Sequence, residues 1–329
     1  MKKFLSIIAA AAIAVSSLCG CSAANAGKKN DKIQIVTTIF PEYDWVMNIL
    51  GDKKDNAEVT MLLDNGTDLH SFQPTASDIM KISSCDLFIY VGGESDEWVE
   101  DVLKEAVNKD MVAINLLEVL GDKVVEEELV EGMQGEEEEE EEGEEGEEEI
   151  EYDEHVWLSL KNSEILVQSI SDAIQKLDPA NAEAYKANTA SYIEKLDQLD
   201  KDYQEVISNA SIKTVLFGDR FPFRYLVDDY GLEYYAAFVG CSAESEASFE
   251  TITFLSKKVD ELSLPAVLTI ESKDKRIAET IIENTANKDQ AVLSMDSMQS
   301  TTSQDVANGV TYISVMTSNL EVLKKALGY

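Results

Sequence analysis

Hydrophobic and polar positions along this chain follow two alternating regimes. Short β-branched, apolar runs occur at Ile33–Ile39, Glu58–Leu63, Leu87–Gly92 and Val112–Leu117 in the first half. In the second half they recur at Thr214–Gly218, Tyr234–Val239, Ala266–Ile270 and Ala291–Met295. Amphipathic stretches at helical spacing separate them, and that alternation predicts parallel α/β units. Two sets of four strands predict two similar lobes, each a mostly parallel four-stranded sheet with flanking helices, although no internal sequence repeat is visible. Between the halves, Asp178-Pro179-Ala180-Asn181 is a helix-start signal with proline at the first helical position. The next stretch, Ala182 to about Asn209, lacks Gly and Pro, and Tyr185, Tyr192, Ile193, Leu196, Leu199, Tyr203 and Ile207 recur at helical spacing. A helix of that length spans roughly 40 Å, enough for a stiff backbone joining two lobes; a helix packed inside one lobe is the alternative. The predicted division is therefore a first lobe over 32–178, a linker helix over 179–210 and a second lobe over 211–329.

The N-terminus adds a destination. Lys2 and Lys3 precede an apolar stretch from Phe4 to Val15, too short to span a bilayer. Leu18-Cys19-Gly20-Cys21 is similar to a bacterial lipobox, with Cys21 as the lipidated first residue of the mature chain. Residues 1–20 then form a signal peptide and residues 21–31 a small, polar, flexible tether. This predicts a protein anchored by lipid at the extracytoplasmic face of the cell membrane. Cys85 and Cys241 are the remaining thiols; a disulfide between them is allowed but not demanded.

Charge narrows the partners. With 27 Lys and Arg against 64 Asp and Glu, the formal net charge of −37 argues against nucleic acid. Much of it lies between Glu126 and Glu154, where an acidic insert over 126–152 is expected to be disordered and solvated. Such an insert can serve solubility, or it can collect cations weakly at the mouth of a site. The run ends at one of the chain's 2 histidines, His155. The other, His70, lies in Asp68-Leu69-His70-Ser71-Phe72, and carboxylates flank both. Neutral imidazole beside carboxylates points to a metal site, since zinc and manganese complete their shells with carboxylate oxygens.

From here the residues resemble a known family, the solute-binding lipoproteins of zinc and manganese ABC uptake systems. Gly66-Thr67-Asp68-Leu69-His70-Ser71-Phe72-Gln73-Pro74-Thr75-Ala76-Ser77-Asp78 resembles its first-ligand motif. Asp153-Glu154-His155-Val156-Trp157-Leu158 resembles the second, with Glu154 in place of the usual proline. Asp178 to Tyr185 is similar to the start of the family's linker helix, and Ser245-Glu246-Ala247-Ser248 to a signature of its second lobe. At the third ligand the pattern departs: Arg220 stands in the ligand's place in Phe217-Gly218-Asp219-Arg220-Phe221, and a guanidinium cannot coordinate a cation. Asp219 or Cys241 could supply the ligand instead, or neither does and Arg220 pairs with an acidic neighbour. A thiolate from Cys241 would favour zinc over manganese. The resemblance makes Asp296, after the strand at Ala291–Met295, the candidate fourth ligand; its alternative role is a helix cap.

The resemblance implies a monomer that binds Zn2+, with Mn2+ as the alternative, between two lobes and passes it to an ABC permease and its ATPase. Metal binding would then be lobe closure, by a small tilt about the linker helix, and affinity would fall as pH drops through the histidine range. A metal-linked surface adhesin is compatible with the same fold. A metallohydrolase is disfavoured, because the chain has no His-Glu-x-x-His helix, Gly-x-Ser-x-Gly elbow or Walker loop.

Overall fold

Each half of the chain folds by the same rule: an apolar strand enters a parallel sheet and a helix returns across its face. The computed structural model describes residues 32–135, 151–242, 246–271 and 274–329. The predicted signal peptide, the tether with Cys21, and residues 136–150 of the acidic insert lie outside them.

The first sheet contains β1 (Ile33–Thr37), β2 (Ala57–Met61), β3 (Leu87–Tyr90) and β4 (Val112–Asn115), all parallel, in the order β2-β1-β3-β4. The helices here are α1 (Phe40–Leu50), α2 (Ala76–Ser84), α3 (Trp98–Lys104) and α4 (Leu116–Leu120), followed by α5 (Leu160–Leu177) and α6 (Ala182–Asn209). The second sheet contains β5 (Thr214–Phe221), β6 (Glu233–Val239), β7 (Ala266–Thr269) and β8 (Ala291–Ser294), again parallel, in the order β6-β5-β7-β8. Its helices are α7 (Arg224–Tyr230), α8 (Phe249–Leu262), α9 (Arg276–Glu283), α10 (Ser303–Ala307) and α11 (Tyr312–Ala326). The two orders are identical in chain sequence, so the halves repeat in topology where no repeat is visible in residues.

The long helix forms as its pattern predicts, over Ala182–Asn209. It is packed along its length. Asn188 Nδ2 donates to the Ile49 carbonyl at the end of α1 (2.9 Å), and Tyr203 Oη donates to the Met316 carbonyl in α11 (2.6 Å). One apolar cluster runs from Ile35 and Phe88 in the first sheet through Leu196 and Tyr203 to Phe217 and Leu268 in the second. A second cluster, including Leu216, Leu255, Val267 and Ile281, fills the space between the second sheet and helices α8 and α9.

In parallel sheets the loops beyond the carboxyl ends of strands gather ligand-binding groups. Both sheets place polar side chains there. His70 and Ser95 follow β2 and β3, whereas Cys241 and Gln299 follow β6 and β8.

Candidate metal centre

His70 is positioned by its own neighbours. Asp68 caps a short turn, Leu69–Ser71, and its Oδ1 accepts the His70 N–H at 3.1 Å. Beyond β3, Gly93 adopts a φ of 81° and presses so closely on Glu154 that a Cβ there would lie 2.4 Å from Oε1. The loop can therefore deliver Ser95, whose Oγ lies 2.8 Å from His70 Nδ1 and whose N–H donates to Glu154 Oε1 at 2.9 Å. Glu154 Oε2 stands 3.5 Å from the same Nδ1. His155 is fully buried, and Asp153 Oδ1 accepts from its N–H (2.8 Å) and its Nδ1 (3.0 Å). A carboxylate at Nδ1 holds the proton there and leaves Nε2 with its lone pair. The two Nε2 atoms face each other at 3.2 Å.

A tetrahedral zinc ion with its usual nitrogen bonds separates neighbouring ligand atoms by about 3.3 Å. The spacing of the two rings is that of one tetrahedral edge. Burial, then the neighbouring His155, pushes His70 down to about 3, so this ring stays neutral far below the ordinary histidine range.

The second sheet brings a thiol to the same point. At the end of β6, Gly240 lies against His155: a Cβ would sit 3.0 Å from both the ring Cε1 and the Phe221 carbonyl oxygen. Cys241 follows. One ligand atom each of His70, His155 and Cys241 lies within 4.8 Å of the other two, the only such grouping of His, Cys, Asp or Glu among the described residues. Burial, reinforced by Glu127, pushes the Cys241 thiol up, so in the absence of a cation it is protonated. Gln299, buried beside the rings, completes the cluster. With its amide turned so that Nε2 donates to Asp68 Oδ1 (3.0 Å), Oε1 lies 2.9 Å from His155 Nε2, so that oxygen and ring nitrogen both present lone pairs to the centre.

Asp219 and Asp296 are not part of this grouping. Asp219 accepts from the backbone N–H groups of Arg220 (3.0 Å) and Ile270 (3.2 Å), which joins β5 to the end of β7. Asp296 Oδ1 accepts from the Met298 N–H at 2.8 Å and so shapes a turn; the helix-cap alternative is not taken, since the next helix, α10, is capped by Thr302. Burial, then Glu271, pushes the Asp296 carboxyl up to about 6. Arg220 makes an ion pair with Asp68 across the two halves, and despite burial this pair holds Asp68 below the usual carboxylate range. Gln299, Ser95 and Glu127 went unread in the sequence. Only Gln299 left a signal, as a polar residue in the Ser-Met-Asp-Ser-Met-Gln segment after β8.

The acidic insert also differs from its expectation. Its base is closed: Glu126 and Tyr152 form an antiparallel bridge, and the Glu127 N–H donates to the Glu151 carbonyl at 3.0 Å. Farther out, Gln134 pairs with Phe238 of edge strand β6 and Met133 is buried. Val130 and Met133, between the glutamates, and Val124 and Val125 before them supply the apolar contacts that a pure acidic run lacks.

This fold and centre can be set beside known proteins. A family model, ZnuA, described as zinc-uptake complex component A periplasmic, matches residues 35–326. The chain belongs to this family. Among ZnuA-family relatives, it is 34% identical over 297 residues to the zinc-binding protein AdcA of Streptococcus pyogenes, covering 89% of this chain and 56% of that protein. It thus spans little more than half the length of that relative. It is 31% identical over 325 residues to the high-affinity zinc uptake system protein ZnuA of Bacillus subtilis, covering 98% and 97%. The Zn(II)-bound ZnuA-like domain of Streptococcus pneumoniae AdcA shares the architecture with a TM-score of 0.69 at 30% identity, covering 91% of this chain and all of that one. The metal-dependent lipoprotein YcdH of Bacillus subtilis does so with a TM-score of 0.72 at 26% identity, covering 90% and 99%.

Proposed function

We propose that this ZnuA-family chain is the capture component of a zinc importer, taking Zn(II) between its two sheets and delivering it to a membrane permease. The observation that carries this reading is the convergence of two imidazoles and a thiol, from His70, His155 and Cys241, with one ligand atom of each within 4.8 Å of the others. In this reading Gln299 supplies an amide oxygen as the fourth group. Zinc is favoured over manganese because a thiolate is a soft ligand. Ligation releases the Cys241 proton, which couples affinity to pH. The ligands come from both halves, so the ion's coordination energy is available only when the halves meet. Anchoring through Cys21, with 21–31 as a tether, would keep the carrier beside its permease.

The test is a zinc-against-manganese competition titration on the chain lacking 1–31, with and without residues 136–149. One tight zinc site that survives removal of the acidic residues and is lost in His155→Ala is the expected result. Binding that vanishes with the insert and ignores His155→Ala would make the glutamates the receptor and end this reading.

A further inference from the structure

The acidic insert begins with a limb that belongs to the metal centre. Its base pairs Val125–Glu127 with Glu151–Asp153: the Asp153 N–H donates to the Val125 carbonyl (3.0 Å), and the Glu127 N–H to that of Glu151 (3.0 Å). Asp153 is the carboxylate that orients His155. Tyr225 of α7 clamps the same base, since its hydroxyl donates to the Asp153 carbonyl (2.7 Å) and accepts from the Val125 N–H (3.2 Å). The limb then crosses to the second sheet. Arg224 pairs with Glu128 at 3.0 Å. The Gln134 N–H donates to the Ala237 carbonyl of β6 (2.9 Å), and Gln134 Oε1 accepts from the Ser248 N–H at the start of α8 (2.9 Å).

The strand held by Gln134 is the one that delivers Cys241. Glu127 makes the direct link: its Oε1 accepts the Cys241 backbone N–H at 3.1 Å, and its side chain also contacts the thiol. One short segment therefore touches the orienting partner of His155 at one end and the carrier strand of Cys241 at the other.

We propose that Glu127 is a positioning residue of the metal centre, which holds Cys241 at the distance from His155 that the ion requires. The limb 125–135 is then a built part of the site, distinct in role from the glutamates of 136–150. This rests on the reading of Cys241 as the third ligand. Groups that orient ligands from outside the first layer typically contribute 10–100-fold in metal affinity.

The experiment loads the full chain with zinc, and with cobalt(II) as an optical probe whose sulfur-to-metal charge-transfer band reports the thiolate bond. Glu127→Ala is expected to lose about 10–100-fold in zinc affinity and to weaken that band. Glu127→Gln, which keeps an oxygen for the Cys241 N–H, should recover most of both, whereas removal of 136–150 should match the parent. If Glu127→Ala does not fold, Glu127→Ser, too short to reach Cys241, replaces it. A folded Glu127→Ala or Glu127→Ser with parental affinity and band overturns the proposal while leaving the cleft reading intact. A parent without the charge-transfer band removes Cys241 as ligand and the proposal with it. Parental binding in His155→Ala would instead overturn the cleft reading itself.

Discussion

At the scale of single residues, the centre depends on close approach as much as on ligand identity. Gly240 is the clearest case, because a methyl group there would meet the His155 ring and the Phe221 carbonyl oxygen at 3.0 Å. Gly240→Ala must therefore push Cys241 and His155 apart by a few tenths of an ångström. Overpacking of this kind costs about 1–3 kcal/mol. If about 1.4 kcal/mol of it is felt only with the ion bound, zinc affinity falls about tenfold. A competition titration together with a thermal melt checks this; an unchanged affinity at normal stability would show that β6 yields freely. The residues whose chemistry could be named from sequence, His70 and His155, are the ones the structure brings face to face. Asp219 and Asp296 have the right chemistry, but backbone N–H groups hold both oxygens of Asp219 and Oδ1 of Asp296, and such local use is invisible to a reading by residue type.

At the scale of elements, the long helix is legible because its pattern repeats. Eight strands and the Ala182–Asn209 helix all fall where periodicity places them, with ends displaced by only a few residues. Helix α6 is not a bare strut: Leu196 is fully buried within the apolar cluster that includes both α1 and α11. Leu196→Ala should cost about 2–5 kcal/mol of stability and leave the zinc affinity of the folded protein within a few-fold of the parent. Chemical denaturation followed by titration at low denaturant measures both. A large loss of affinity without a loss of stability would mean that α6 transmits strain to the cleft. The limb 125–135 was harder to read, since its order comes from docking on the edge of β6 and not from any period of its own.

At the scale of the whole molecule, buried charge tunes stability. Asp44 lies where α1, α6 and α11 meet: its Oδ2 accepts from Tyr192 Oη (3.2 Å) and the Tyr312 N–H (3.3 Å). Burial pushes its carboxyl up from 3.8 to about 6. The folded state thus prefers the protonated form, so this contribution is complete below pH 3.8 and is lost as pH rises through about 6. A shift of this size corresponds to about 3 kcal/mol at most. Asp44→Asn should gain on the parent between pH 4 and pH 7, as urea melts at the two pH values would show. Equal differences at both would exclude burial as the cause.

Apolar periodicity, helix-start signals and two sparingly used histidines were enough to determine the α/β class, two four-stranded sheets, the long helix and half of the candidate metal centre. Those features are local, written within a few turns of chain. Only the tertiary structure decided the other half. Cys241 and Gln299 meet the histidines, and Glu127 meets Cys241, because β6, β8 and the insert limb come together at the same cleft. Arg220 is drawn away to Asp68 by a charge 152 residues distant in sequence. Convergence of strand ends depends on sheet order and packing, and no single stretch of sequence carries that information.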